Sequence, residues 1–401
     1  MPDAVYRRYV LRLLGATLGL ILLAAAFNRV VDPFWYFRDV EMTGFNAVKT
    51  SFRRFERNVK PAILLREQPE AVILGSSYAE IGLDPLHPRL TDGGRARSFN
   101  FALAGAPWQL NFCALEFVLS TTRAERIVLG IHAGALPDFD CTADLARMKE
   151  LPWAAMLLSA TALGASIQTV KAQKKAQRAT HTRHGLYFHN RFEPGAERRF
   201  REHFLALQLP SNPACRNGNL EQSPATPAWS AAPGQPMDLD GLDRIVKAIS
   251  GRDVALKLVI YPQHALRVEI DYLCERAEAR WQALWQIAQH LEIHPPAPPA
   301  SIEVWDFQGY SRYTTEPVAS GRMVYWQDPE HFNYEFGNVM LDWMFGALPI
   351  AESGFDGLGY RATTETLAAR RAWFEEQRAA YLRAHPDAVK TFGALLPPGL
   401  R

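Results

Sequence analysis

Two short stretches, "GSS" at 75–77 and "DPEH" at 328–331, hold the side chains best suited to nucleophilic chemistry. A serine hydroxyl attacks well only when a base takes its proton, and a histidine does so when a carboxylate fixes its tautomer. Asp328 and His331 are three residues apart, so the carboxylate can reach the imidazole Nδ1–H and leave Nε2 for a serine. Alone, a D-x-x-H spacing is common by chance. Ser76 or Ser77 could equally cap a following helix. The nucleophile reading gains weight only if the fold brings the two stretches together.

The elements that would do so are legible as apolar runs at 71–74, 98–103, 126–132, 254–261 and 302–307. Several are nearly continuous in apolar residues rather than alternating, which suits a parallel sheet covered on both faces. Helical patterns lie between them, notably at 108–121 and 266–291. Strands alternating with helices predict an α/β domain: three layers, α/β/α, around a five-stranded, mainly parallel, flavodoxin-like sheet. Ligands of such sheets bind beyond the carboxyl ends of the strands.

The residues at that edge are therefore informative. After the first run comes Gly75-Ser76-Ser77, and the second holds "FNFALAGAP" with Asn100 and Gly105. The third ends in "GIHAGAL" with His132, and the fourth in "YPQHA" with His264. The fifth ends at Asp306, with "WQDPEHFN" further on. His264 is a rival base or a pocket-lining residue, although no carboxylate precedes it by three residues. Asp306 reads as a loop tether. Trp108 and Trp326 flank site segments and suit either core packing or stacking on a sugar ring.

This pattern resembles the SGNH (GDSL-like) hydrolase superfamily. The resemblance spans roughly residues 69–348 and implies specific roles. Ser77, in the G-x-S block, would be the nucleophile. Asp328 and His331 would be the terminal D-x-x-H pair. Gly105, in "NFALAG", would donate its backbone N–H to an oxyanion hole together with the Ser77 N–H. Asn100, His264, Trp108 and Trp326 are possible substrate-binding residues. The third block of the superfamily is G-x-N-D, whereas this chain has Gly130-Ile131-His132-Ala133. His132 would have to replace an asparagine donor, and losing one such donor costs about 2.7–4 kcal/mol of transition-state stabilisation. The stretches "VVDPFWYF" and "ERNVKPAILLREQPEAVILGSS" are similar to membrane-anchored bacterial members related to exopolysaccharide O-acetylation and teichoic acid D-alanylation. That implies an esterase or O-acyltransferase acting on acyl esters, such as acetyl, of envelope polysaccharide. Implied partners are an acylated or acceptor glycan and a membrane-bound O-acyltransferase. No cofactor or metal is expected. The alternative is a catalytically inactive, glycan-binding or scaffold protein on the same fold.

The N-terminus agrees with an anchor. No charged residue occurs from Leu13 to Phe27, and Arg7, Arg8 and Arg12 precede that block. This predicts one transmembrane helix in inner-membrane lipid, its N-terminus cytoplasmic and the rest periplasmic or otherwise extracytoplasmic. The alternative is cleavage after Ala24-Ala25-Ala26. The uncharged stretch 151–170 is diluted by polar and small residues, and reads as a helix packed on the domain near the membrane surface. The net charge of +2 argues against nucleic acid as a partner. Four cysteines (Cys113, Cys141, Cys215, Cys274) form no C-x-x-C pair, so their number allows disulfides without assigning them. The expected organisation is 1–28 anchor, 29–65 lead-in, 66–350 α/β domain with an irregular insert at about 171–236, and 351–401 helical tail.

Overall fold

The computed structural model describes residues 2–150, 153–174, 178–206, 236–273, 277–346 and 358–387. Residues 175–177 and 207–235 of the expected insert, and the end of the tail, lie outside them. The chain divides into two compact units: Met1–Arg66 with Ala146–Arg183, and Glu67–Leu145 with His184–Arg401.

In the first unit, helix Pro2–Val31 carries a candidate span, Ala4–Val31, in which an 18-residue window has a mean hydropathy of 2.2. At 1.5 Å per residue its 28 residues reach about 42 Å, more than the roughly 30 Å of a bilayer's hydrocarbon. It is long and apolar enough to cross a membrane. The last carbonyls of a helix have no partner within it. Here the Asn46 side chain donates to Val30 O (2.9 Å) and Val31 O (3.2 Å), and buried Lys49 Nζ donates to Val31 O (2.8 Å). The uncharged stretch 151–170 is two helices, Trp153–Leu158 and Ala160–Gln173, rather than one. The break falls at Ser159, whose hydroxyl caps the second helix by accepting from Ala162 N.

The second unit is mixed α/β around one mostly parallel sheet of β1 (Ala71–Leu74), β2 (Ser98–Asn100), β3 (Arg126–Ile131), β4 (Ala255–Ile260), β5 (Ser301–Asp306) and β6 (Tyr360–Arg361). The order is β2-β1-β3-β4-β5-β6. The first five strands pair parallel, in the order 2-1-3-4-5 of flavodoxin-like sheets. The expectation of five strands is corrected to six. β6 pairs antiparallel with β5 through Trp305↔Arg361 and Asp306↔Tyr360. Two residues are too short to leave an apolar pattern, and β6 is held by context. Tyr360 Oη donates to Asp306 Oδ2 (3.2 Å), while Arg280 occupies Asp306 Oδ1 (2.5 Å).

β1 is wholly buried, as its unbroken Ala-Val-Ile-Leu run requires. Helix Trp108–Thr121 covers the expected range, and a Cys113–Cys141 disulfide ties it to the segment after β3. Within the expected helical range 266–291, Ala265–Leu273 and Ala277–Ile293 are helical, and 274–276 lie outside the described residues. Because the first five strands run parallel, the carboxyl ends of β1, β3 and β4 fall on one edge of the sheet.

Candidate active site

β1 ends at Gly75, whose φ of +140° suits glycine. A side chain there would also collide with the Tyr261 hydroxyl. The chain turns at once into the short helix Ser77–Gly82. Ser76 takes the N-cap position without a side-chain capping bond, and its N–H instead donates to Tyr261 Oη (2.9 Å). Ser77 is the first helical residue and keeps its hydroxyl partly exposed. The two serines thus differ: Ser76 is buried against Tyr261, and Ser77 Oγ lies 2.9 Å from His331 Nε2.

His331 is held in a tight loop. An isolated bridge between Trp326 and Phe332 closes it, and Gln327 N donates to His331 O (2.9 Å). Within it, Asp328 Oδ1 accepts from Glu330 N and His331 N, both at 2.9 Å. The same carboxylate receives His331 Nδ1, 2.9 Å from Oδ2 and 3.0 Å from Oδ1. Burial opposes ionisation of Asp328, but the His331 imidazole and the two backbone N–H groups hold its carboxyl below the usual range. An ionised Asp328 fixes the proton on Nδ1, and the Nε2 lone pair then faces the Ser77 hydroxyl.

Around this chain of hydrogen bonds stands an aromatic and ionic cluster that motif reading missed. Tyr78 stacks on Tyr261 (ring centroids 4.6 Å apart, 21° between planes) and leans on His331 (4.8 Å). Its hydroxyl donates to Glu330 Oε2 (2.8 Å). Glu330 also meets Arg267 Nε (3.2 Å) and His203 Nε2 (3.3 Å). Burial opposes its charge, yet His203, Arg267 and the Tyr78 hydroxyl keep its carboxyl well below the ordinary range. Tyr78 follows Ser77 directly, and Glu330 sits inside the D-x-x-H stretch. That adjacency was the available signal. Exposed His189 stands 6.3 Å from the His331 ring, with Nδ1 2.9 Å from Tyr187 Oη. Its φ of +30° is uncommon for a residue with a side chain.

The remaining expected residues divide. His132 contacts Tyr78 (5.1 Å) and Tyr261 (5.0 Å) edge-on, so it belongs to the cluster. Burial pulls its pKa down to about 4, which leaves it neutral at pH 7. Gly105 is exposed, with φ +65°, in a loop that Leu103 N ties to Gly75 O (2.9 Å).

Three residues expected to bind substrate make structural contacts. Asn100 is fully buried. Its Nδ2 donates to Ala79 O and Leu83 O (both 2.9 Å), and its Oδ1 accepts from Ala102 N (3.1 Å). It splints the loop after β2 to the helix bearing Ser77. His264 is buried between Phe200 and Trp326, Nε2 facing Glu316 O (2.8 Å) and Nδ1 accepting from Leu266 N (3.2 Å). Both of its ring nitrogens are engaged within the protein. Trp326 is buried and donates Nε1–H to Tyr313 O (2.6 Å), which makes it core. Trp108 is partly exposed and packs edge-on against Phe112 (5.4 Å) and Phe139 (5.8 Å).

No family model of known proteins matches this chain, and no curated protein is significantly similar to it.

Proposed function

We propose that this chain is a membrane-anchored, extracytoplasmic SGNH-like serine esterase or O-acyltransferase, acting on acyl esters of envelope or exported polysaccharide. The observation that carries the reading is the unbroken chain Ser77 Oγ–His331 Nε2, His331 Nδ1–Asp328, each link within 3.0 Å. Ser77 attacks the acyl carbonyl while His331 Nε2 takes its proton, and Asp328 stabilises the imidazolium. The oxyanion is received by backbone N–H groups of Ser77 and Gly105 and by the neutral His132 ring. Collapse expels the alcohol, which leaves with the proton from His331. Water or a glycan hydroxyl, deprotonated by His331, then attacks the acyl-enzyme and frees Ser77. The apolar N-terminal helix supports a single-pass anchor. The arginines before it support a cytoplasmic N-terminus, and a membrane-bound acyltransferase is a fitting acyl donor.

A fluorophosphonate probe tests the assignment. Wild type should be labelled, and Ser77→Ala should not. Labelling that persists in Ser77→Ala removes Ser77 from the role. The second reading, an inactive glycan-binding or scaffold protein, is favoured by one observation: His132 stands where the superfamily has asparagine and packs against Tyr78 and Tyr261. Wild-type protein that neither labels nor releases acetate from acetylated glycans would establish it.

A further inference from the structure

The N-terminal helix changes character along its length. Leu11, Leu14, Leu18, Leu20 and Leu23 are 58–68% exposed, whereas Asn28 and Val31 are buried. Asn28 marks the changeover. Its Nδ2 donates to Leu157 O (2.8 Å) and its Oδ1 accepts from Ser166 Oγ (2.9 Å). One buried amide thus fastens both helices, Trp153–Leu158 and Ala160–Gln173, to the last turn of the apolar helix. They are held at the point where its lipid-suited surface ends.

The outward side of the first of these helices is apolar. In Trp153–Leu158 the exposed residues are Trp153, Ala154, Ala155 and Leu158, all apolar, with Trp153 and Leu158 each 55% exposed. On the next helix Ile167 is 41% exposed beside the exposed but uncharged Thr161 and Gln168, and no charge occurs between Leu151 and Val170. Lys171 and Lys174 follow at the helix end, where cations suit headgroup phosphates. A tryptophan and aliphatic residues beside a spanning helix, with lysines next to them, have the composition of the headgroup–acyl boundary. Continuity with the lipid-suited surface of the first helix selects the bilayer as occupant.

We propose that Trp153, Ala154, Ala155, Leu158 and Ile167 form a second membrane contact, seated in the bilayer interface beside the spanning helix. The proposal rests on the anchor in the proposed function, and one experiment separates the two. Full-length protein in phosphatidylcholine nanodiscs containing a phospholipid with an acyl-chain diazirine is irradiated, digested with trypsin and mapped by mass spectrometry. Lipid adducts are expected both on residues 4–23 and on the peptide 150–171. Trp153→Ser/Leu158→Ser should lose most adducts on 150–171 and keep those on 4–23. Adducts confined to 4–23 in wild type would overturn the proposal and leave the anchor standing. Adducts on neither would remove the anchor as well. Cross-links between copies at 150–171 without lipid adducts would assign the face to self-association instead.

Discussion

His264 makes the stability of the α/β unit depend on pH. Its pKa is pulled down to about 4 by burial, against an ordinary value of 6.5. Protonation would place a second donor at Nδ1, which now accepts the Leu266 N–H at 3.2 Å. Between pH 6.5 and 4 the unfolded chain therefore binds more protons here than the folded one, and stability falls as the pH falls. At pH 5 the loss is RT ln[(1 + 10^1.5)/(1 + 10^−1)], about 2 kcal/mol, and nearly all of it appears below pH 7. His132, also held at about 4 by burial, adds a loss in the same direction, as does His87, pulled down by burial. The assay is urea unfolding of the full-length protein in nonionic detergent at pH 7 and pH 5, followed by tryptophan fluorescence. His264→Gln retains an amide donor and acceptor but cannot titrate. It should be less stable at pH 7, having lost the packing on Phe200 and Trp326, yet lose about 2 kcal/mol less than wild type on going to pH 5. Equal acid losses in the two proteins would refute the reasoning.

Three further outcomes follow from the geometry. Asp328→Asn should lower kcat by about 10⁴ with little change in KM, because the amide no longer holds the proton on His331 Nδ1; steady-state ester hydrolysis reads it. Tyr78→Phe removes a buried hydrogen bond to an ionised carboxylate and should cost about 1.5–3 kcal/mol in urea unfolding. It should also reduce kcat by about 10–100-fold as Ser77 and His331 lose register. Cys113→Ser/Cys141→Ser opens a disulfide with a sequence separation of 28 and should destabilise the chain by about 3.5 kcal/mol on the loop-entropy relation, measured by the same unfolding.

Much of the frame was legible because a buried parallel strand announces itself as an unbroken apolar run. Ala71–Leu74 and helix Trp108–Thr121 have the expected bounds. The apposition of Ser77 and His331 was not legible from either stretch alone, since 254 positions separate them and only the sheet brings them together. What failed to show has local causes. β6 is two residues long and depends on Asp306. The helix break at Ser159 is a cap inside an otherwise continuous helical composition. Titratable residues drew attention in "YPQHA", yet Tyr261 rather than His264 reaches Ser76, because the position just past β4 shares the strand's inward face with Val259. Asn100 and Trp326, expected to bind substrate, are engaged in hydrogen bonds to backbone. A side chain at a strand end can support the loop as readily as face the ligand, and only its hydrogen-bond partners decide which.

Tyr78 links the residues clustered around Ser77, Asp328 and His331. Covalently it follows Ser77, and through its hydroxyl it holds Glu330, the neighbour of His331. Its ring touches His331 on one side and His132 on another, and it stacks on the Tyr261 that receives Ser76 N–H. The nucleophile, base and oxyanion donor of the proposed mechanism are thus all in contact with a single side chain. A neutral His132 suits the proposed mechanism, in which a protonated ring there would oppose an imidazolium forming on His331. The depressed pKa of His132 and the charge step at His331 are therefore linked. Raising the former should weaken the latter, so a substitution that opens the Tyr78–Tyr261 stack to water should impair proton transfer even with Ser77, Asp328 and His331 all in place.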